Sequence, residues 1–185
     1  MLSAGIEQVI GLATLSGLVF AGPSTSAHAS TPVASITTAT WAEYSGLYGK
    51  SELCGKDEIT LWSCEIRERK YSLCSSHVVT RSTGYMQYRA SDRGRITFVY
   101  PATKKPPIGC FTYSSAANGD ASIVFVNRGI KYSLLDSLRG ESSILVSDQS
   151  ESSATTEMSC GGGMQTLQIN YTMRLMYESG LWSGT

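Results

Sequence analysis

The sequence is poor in the residues from which most catalytic and metal sites are built. It has two histidines, His28 and His77, and only His77 lies beyond the N-terminal apolar run. A site with several imidazole ligands is therefore excluded from the main body of the chain. The five cysteines are Cys54, Cys64, Cys74, Cys110 and Cys160, and none forms the Cys-x-x-Cys pair of a zinc ribbon. No metal and no cofactor is expected. Charge is in excess of neither sign, with 15 Lys and Arg against 15 Asp and Glu. A nucleic-acid footprint needs clustered surplus positive charge, so no nucleic-acid partner is expected. No apolar run reaches the roughly 18 residues of a membrane-spanning helix, and no internal repeat is visible.

The main long-range apolar feature is residues 9–21, an uncharged run followed by small residues and by Ala27-His28-Ala29. Its length suits the core of a signal peptide, and Ala-x-Ala suits the cleavage site. The segment ahead of it carries Glu7 and no Lys or Arg, unlike the usual positive leader. The reading is a signal peptide over 1–29 and a mature chain of 156 residues (185 less 29) starting at Ser30. Only Glu7 is lost from the charge count, leaving 15 basic and 14 acidic side chains. The compartment that follows is periplasmic or extracellular.

In that compartment cysteines read first as disulfides. The odd number leaves one unpaired or bonded to another chain, and connectivity is not determined by sequence. Cys64 and Cys74 flank a polar stretch centred near Arg69. If that stretch is a hairpin turn, the two sulfurs face each other. Cys54 and Cys160 would then close the two ends of the domain, with Cys110 left over.

Residues 30–52 are rich in Ser, Thr and Ala and read as a flexible arm before a single β-rich domain over 53–185. Strand signals recur every ten residues or so: 59–65, 70–74, 84–90, 95–100, 110–114, 121–127, 130–135 and 142–147, with turns at 92–94, 117–120 and 128–129. Residues 148–157 read as a polar loop. Helix-like spacing at the end predicts a short helix over 169–178. The fold class is mostly β: a single antiparallel meander sheet, a sandwich or a small barrel, with a short C-terminal helix.

Candidate chemistry is sparse. Cys74-Ser75-Ser76-His77 holds a thiol near an imidazole, but side chains of sequence neighbours at a strand end diverge, and Cys74 is better used in a disulfide. The carboxylates are scattered over turns and strand ends, with no pair spaced for acid–base work. Gly161-Gly162-Gly163 has no following Lys-Ser/Thr and reads as a turn, not a phosphate loop. No catalytic residue is assigned. Six tyrosines, at 71, 85, 88, 100, 113 and 132, fall in expected strands. Tyr85, Gln87 and Arg89 share one face of their strand, a mix found at interface hot spots. With Arg81 in the preceding loop, read as mobile, they form the expected partner-binding surface.

The series Cys54-Gly-Lys-Asp-Glu, Leu61-Trp-Ser-Cys, Lys70-Tyr-Ser-Leu-Cys-Ser-Ser, Gly84-Tyr-Met-Gln-Tyr-Arg-Ala and Arg95-Ile-Thr-Phe-Val-Tyr-Pro-Ala, with a late Cys160, resembles a group of small exported proteobacterial proteins. In that group a cysteine pair precedes a "SLCAS…GYLQYR…VYP" pattern, and most members have no assigned function. The resemblance spans about residues 53–135; Cys110 and the tail after Cys160 depart from it. A looser likeness of class links the chain to periplasmic lysozyme inhibitors, exported β domains that insert a loop into the enzyme cleft. Thr80-Arg-Ser-Thr-Gly-Tyr85 is similar in composition to such a loop.

Export, disulfides, a tyrosine-rich sheet and the lack of a catalytic set together point to a binding protein. It would be an inhibitor or immunity protein whose protein partner is a cell-wall hydrolase or an antibacterial effector. An envelope-associated structural module is the alternative, and a cysteine or carboxylate hydrolase a further one.

Overall fold

A computed structural model describes residues 49–149, 154–160 and 166–183; the signal-peptide reading and nearly all of the expected arm lie outside them. Two antiparallel sheets form a β-sandwich with one short helix. The first sheet is a meander of β1 (Ile59–Ile66), β2 (Arg69–Ser75), β3 (Met86–Asp92) and β4 (Arg95–Tyr100). The second is a meander of β5 (Thr112–Ser115), β6 (Ala121–Asn127), β7 (Ile130–Asp136), β8 (Ser143–Asp148) and β9 (Thr156–Ser159). Helix α1 (Asn170–Glu178) follows. Strand β9 was expected as part of a polar loop. It forms because Ile144 and Val146 of β8 lie opposite Met158 and Thr156, so one half-buried methionine is enough to seat an otherwise polar edge strand.

Alternation along each strand turns one face of each sheet toward the other. On the first sheet that face carries Trp62, Leu73, Met86 and Tyr88, all buried. Across it, Phe125 stacks between Tyr100 and Tyr132, with ring centroids 4.6 Å and 4.9 Å away. Tyr88 and Phe98 join the same cluster. With Tyr71 stacked on Tyr88, four of the six strand tyrosines are ring packing at the centre of the sandwich. A fifth, Tyr113, is buried against Trp182 and donates its hydroxyl to Leu167 O.

The C-terminal segment closes two openings. Asp136, buried at the end of β7, accepts bonds from Ser142 Oγ, Thr166 Oγ1 and Leu167 N–H, and so docks the approach to α1. Beyond the helix, Leu181 O accepts from Tyr113 N–H and Ser183 N–H donates to Tyr113 O. These bonds occupy the free edge of β5, which would otherwise be an open template for pairing.

The disulfides are Cys54–Cys74 and Cys64–Cys160, and Cys110 is buried and unpaired. The four bonded cysteines are those expected, but the pairing is not. The β1–β2 turn is the two residues Arg67 and Glu68, so Cys64 lies opposite Tyr71 and Cys74 opposite Thr60. Tyr71 and Cys74 are three apart on one strand, so Cys64 and Cys74 point to opposite faces of the sheet. Cys64 faces inward and is bonded to the residue after β9, joining the two sheets. Cys74 faces outward and bonds the segment that crosses the back of the first sheet.

The two bridges enclose loops of very different length, with sequence separations of 96 and 20. The chain-entropy relation gives about 4.7 kcal/mol for the longer and about 3.3 kcal/mol for the shorter. Cys64→Ala with Cys160→Ala should therefore destabilise more than Cys54→Ala with Cys74→Ala in urea titrations. Non-reducing peptide mapping should show these two bridges, with Cys110 alkylated only after unfolding; a Cys64–Cys74 peptide would contradict the register described.

Candidate functional site

The alternation of β3 puts Gln87 and Arg89 on the outer face of the first sheet, opposite Cys74 and Ser72 of β2. A sheet face carrying Gln, Arg and Ser should meet water, and the sequence implies an exposed row. Instead Gln87 is 4 % and Arg89 9 % exposed. The segment from Ser51 to Glu58 lies over this face. Ser51 Oγ meets Ser72 Oγ at 2.5 Å, Ser51 N–H donates to Thr60 Oγ1, and Cys54 is bonded to Cys74. Ser51, in the expected arm, thus packs on the first sheet.

At the centre of the cover sits Glu58. Arg89 grips its carboxylate with both terminal nitrogens, Nη1 to Oε2 at 2.5 Å and Nη2 to Oε1 at 2.7 Å. The same guanidinium donates to Leu53 O at 2.7 Å and Gln87 Oε1 at 2.8 Å. Glu58 also accepts from Gly55 N–H and from the Tyr85 hydroxyl, both at 2.6 Å, and pairs with Lys104 Nζ at 3.0 Å. Gln87 completes the set by donating to Pro101 O. Lys104 lies over the Tyr85 ring, 4.5 Å from its centroid. A bidentate, charge-assisted pair with its remaining lone pairs satisfied is the arrangement in which a buried ion pair holds.

Burial by itself would raise the Glu58 pKa, but hydrogen bonds from Arg89, Tyr85, Gly55 and Lys104 outweigh it and hold the carboxyl far below its ordinary value. Burial, and then donation to Glu58, push the Tyr85 phenol up, so it stays a donor. Bonding to Tyr85 and Glu58 raises the Lys104 ammonium. Glu58 is therefore held as a carboxylate whose oxygens are engaged by four donors, a state suited to holding structure and poorly suited to accepting a proton from substrate. The sulfurs of Cys54 and Cys74 and a Glu58 oxygen lie within 4.8 Å of one another, but the sulfurs are bonded to each other and do not present thiolates. Cys74 is likewise not a free thiol beside His77.

The cluster supports the β2–β3 connection, residues 76–85. This loop was expected to be mobile, and it is extensively tied by its own polar atoms. Ser76 N–H donates to Tyr85 O, Tyr85 N–H to Ser76 Oγ, and Ser76 Oγ to Val78 O. At the tip, Thr80 Oγ1 accepts from Ser82 N–H and Thr83 N–H and meets Thr83 Oγ1 at 2.6 Å. Gly84 has φ of 72°, and a Cβ there would lie 2.0 Å from Val78 O, so only glycine fits. Val79 is buried as the anchor, while Val78 is 62 % exposed and His77, Arg81, Ser82 and Thr83 face solvent. The Arg81 side chain lies along Gly180, just past the C-terminus of α1, where a cation is favoured by the helix dipole.

Of the four residues expected to bind a partner, Arg81 is on the surface, Tyr85 is half-buried with its hydroxyl on Glu58, and Gln87 and Arg89 lie beneath the cover. Glu58, Lys104 and Val78 were missed. Glu58 sits in a turn between Cys54 and β1, and nothing local says that a turn carboxylate folds back over the next hairpin. The one available signal was Cys54: a disulfide to Cys74 requires the residues after Cys54 to lie on the outer face. No protein family, no curated protein and no solved structure matches this chain.

Glu58 is ionised in the fold at pH values where it is protonated in the unfolded chain. Its contribution is therefore complete above about pH 4.5, its ordinary pKa, and is lost progressively as pH falls below that. Glu58→Gln should be less stable than wild type by a constant amount above this range, and the gap should narrow below it. Arg89→Met, which leaves the carboxylate buried without its main partner, should cost about 3–5 kcal/mol. Urea unfolding across pH measures both; a gap independent of pH down to acid unfolding would contradict the assignment.

Proposed function

We propose that the mature protein is an exported, periplasmic or secreted binding protein without catalytic activity of its own. It acts as an inhibitor of, or immunity protein against, a cell-wall-cleaving enzyme, and loop 76–85 is the element it presents. The observation that carries this reading is the construction of that loop. A ten-residue connection is pinned at its base by Ser76 and Tyr85, turned at its tip by Thr80 and Thr83, and anchored inward by Val79. What it displays is an exposed apolar side chain, Val78, and a guanidinium, Arg81. A preformed loop loses little conformational entropy on binding, and rigid presentation is how loop inhibitors act on clefts.

The chemistry of the loop fits an acidic cleft. Glycoside-cleaving enzymes carry paired carboxylates across the scissile bond. Arg81, with Lys104 at the rim of the neighbouring cluster, offers two cations to such a pair. The cluster holds one carboxylate, Glu58, against the two cations Arg89 and Lys104, of which Lys104 is the exposed one. Two disulfides, and the absence among the described residues of any helix long and apolar enough to cross a membrane, support export to an oxidising compartment. The likeness to small exported proteobacterial proteins and, in class, to periplasmic lysozyme inhibitors is part of the same proposal.

Purified protein should inhibit at least one peptidoglycan-cleaving enzyme in a panel of lysozymes and amidases. Val78→Asp and Arg81→Ala should each weaken inhibition tenfold or more, the scale of an interface hot spot, while shifting stability by less than about 0.5 kcal/mol as surface changes do. Absence of inhibition across the panel, or inhibition indifferent to both substitutions, would remove the proposal.

A further inference from the structure

The edge strands of the two sheets are β1, β4, β5 and β9, and three of them are closed to another chain. β5 is taken by the C-terminal segment, which bonds Tyr113 through both its N–H and its C=O. β1 is mostly buried and is stapled through Cys64 to the residue after β9. β9 has four residues and an exposed Glu157, short and charged as blunted edges are.

β4 has little of this protection. Arg95, Ile96 and Thr97 are exposed, and Phe98, Val99 and Tyr100 are half-buried. Among the described residues, only β3 bonds its backbone. Ile96-Thr-Phe-Val-Tyr100 is an uncharged run of strand formers without proline or glycine, and Ile96 is 51 % exposed. Such a run on an open edge is a template for pairing.

The free bonding groups can be placed. The Arg93-Gly94 turn has positive φ at both residues, 49° and 75°, as in the two-residue hairpin whose flanking pair, here Asp92 and Arg95, exchanges both backbone bonds. The next pair, Ser91 and Ile96, is then the open kind, and Ile96 turns its N–H and C=O away from β3. Thr97 is the extra residue of a bulge between that pair and Ala90–Phe98. Alternation resumes after it, so Val99, opposite Arg89, also turns its peptide groups outward.

The bulge decides the occupant. In a regular antiparallel strand the outward bonding positions recur every two residues, whereas Ile96 and Val99 are three apart. A regular strand laid along β4 therefore matches one of them and misses the other. A second copy of this chain carries the same spacing. Run antiparallel about a two-fold axis between Thr97 and Phe98, it sets Ile96 against Val99 of the other copy and Val99 against its Ile96, each pair exchanging both bonds. Ile96 and Val99 face the same side of the sheet as Ser91 and Arg89, so the apolar side chains meet as cross-strand neighbours. Arg95 falls opposite Tyr100 of the other copy, and the two arginines stay at far ends of the joint. With the other edges closed, β4 meets only β4, and the contact is isologous and closes at two copies.

We infer that the protein dimerises edge to edge through β4, joining two four-stranded sheets into one continuous sheet.

Sedimentation equilibrium of the full chain over a range of concentration tests this, with Ile96→Lys as the variant. Association through the N-terminal apolar run is common to both proteins, so the readout is the difference between them. The wild type should be dimeric at micromolar concentration, and Ile96→Lys should weaken dimerisation about tenfold or more by removing both apolar cross-strand pairs. The near-UV circular dichroism of the variant should match the wild type, because Ile96 lies outside the aromatic cluster. Amide exchange supplies the second readout: Ile96 and Val99 should gain protection as wild-type concentration rises and should not in Ile96→Lys. A wild type that is monomeric at every concentration would overturn the inference, including the case in which β4 takes a strand of another protein. So would a dimer that Ile96→Lys leaves intact, growth of β4-dependent species beyond two copies, or Ile96 and Val99 exchange independent of concentration.

Discussion

The Glu58–Arg89 pair organises the outer half of the first sheet. β3 carries a guanidinium on a face that alternation aims at solvent, and a lone buried guanidinium is untenable. Its partner comes from outside the strand, from the turn after Cys54, and with it come Leu53 O, the Gly55 amide and the Cys54–Cys74 bridge. The result is a third layer, thin and polar, over the back of β2 and β3. Tyr85 reaches the same carboxylate from the residue before β3, so the cover and the base of loop 76–85 share one anchor.

The rest of the architecture is conventional in its physics and asymmetric in its ends. An aromatic cluster around Phe125 holds the two sheets, and Cys64–Cys160 locks β1 to the last strand of the second sheet. One end of the sandwich carries tight hairpins tipped by arginine, and the other carries a longer loop built from its own hydrogen bonds.

Much of the fold could be read from local pattern. The β6 strand and the Arg128-Gly129 turn follow from an alternating apolar run flanking a two-residue connection, and α1 falls within a residue of its expected bounds. What could not be read is what depends on distant partners. The disulfide pairing turned on whether the first hairpin is centred at Arg69 or between Arg67 and Glu68, a shift that moves cysteines to opposite faces. β9 has too few apolar residues to announce itself. Tyr85, Gln87 and Arg89 do share a face as the alternation implied, but strand periodicity says nothing about a segment thirty residues earlier folding over that face.

The central claim is that Glu58 is the anchor of both the cover and loop 76–85, independently of the core. Native-state hydrogen exchange on Glu58→Gln tests it most directly. The Gly55, Ser76 and Tyr85 amides should lose protection together, while those of Ile123 and Phe125 in β6 keep theirs. If protection falls equally in β6, or if Ser76 and Tyr85 exchange as in the wild type, Glu58 does not hold the cover and the loop as one unit.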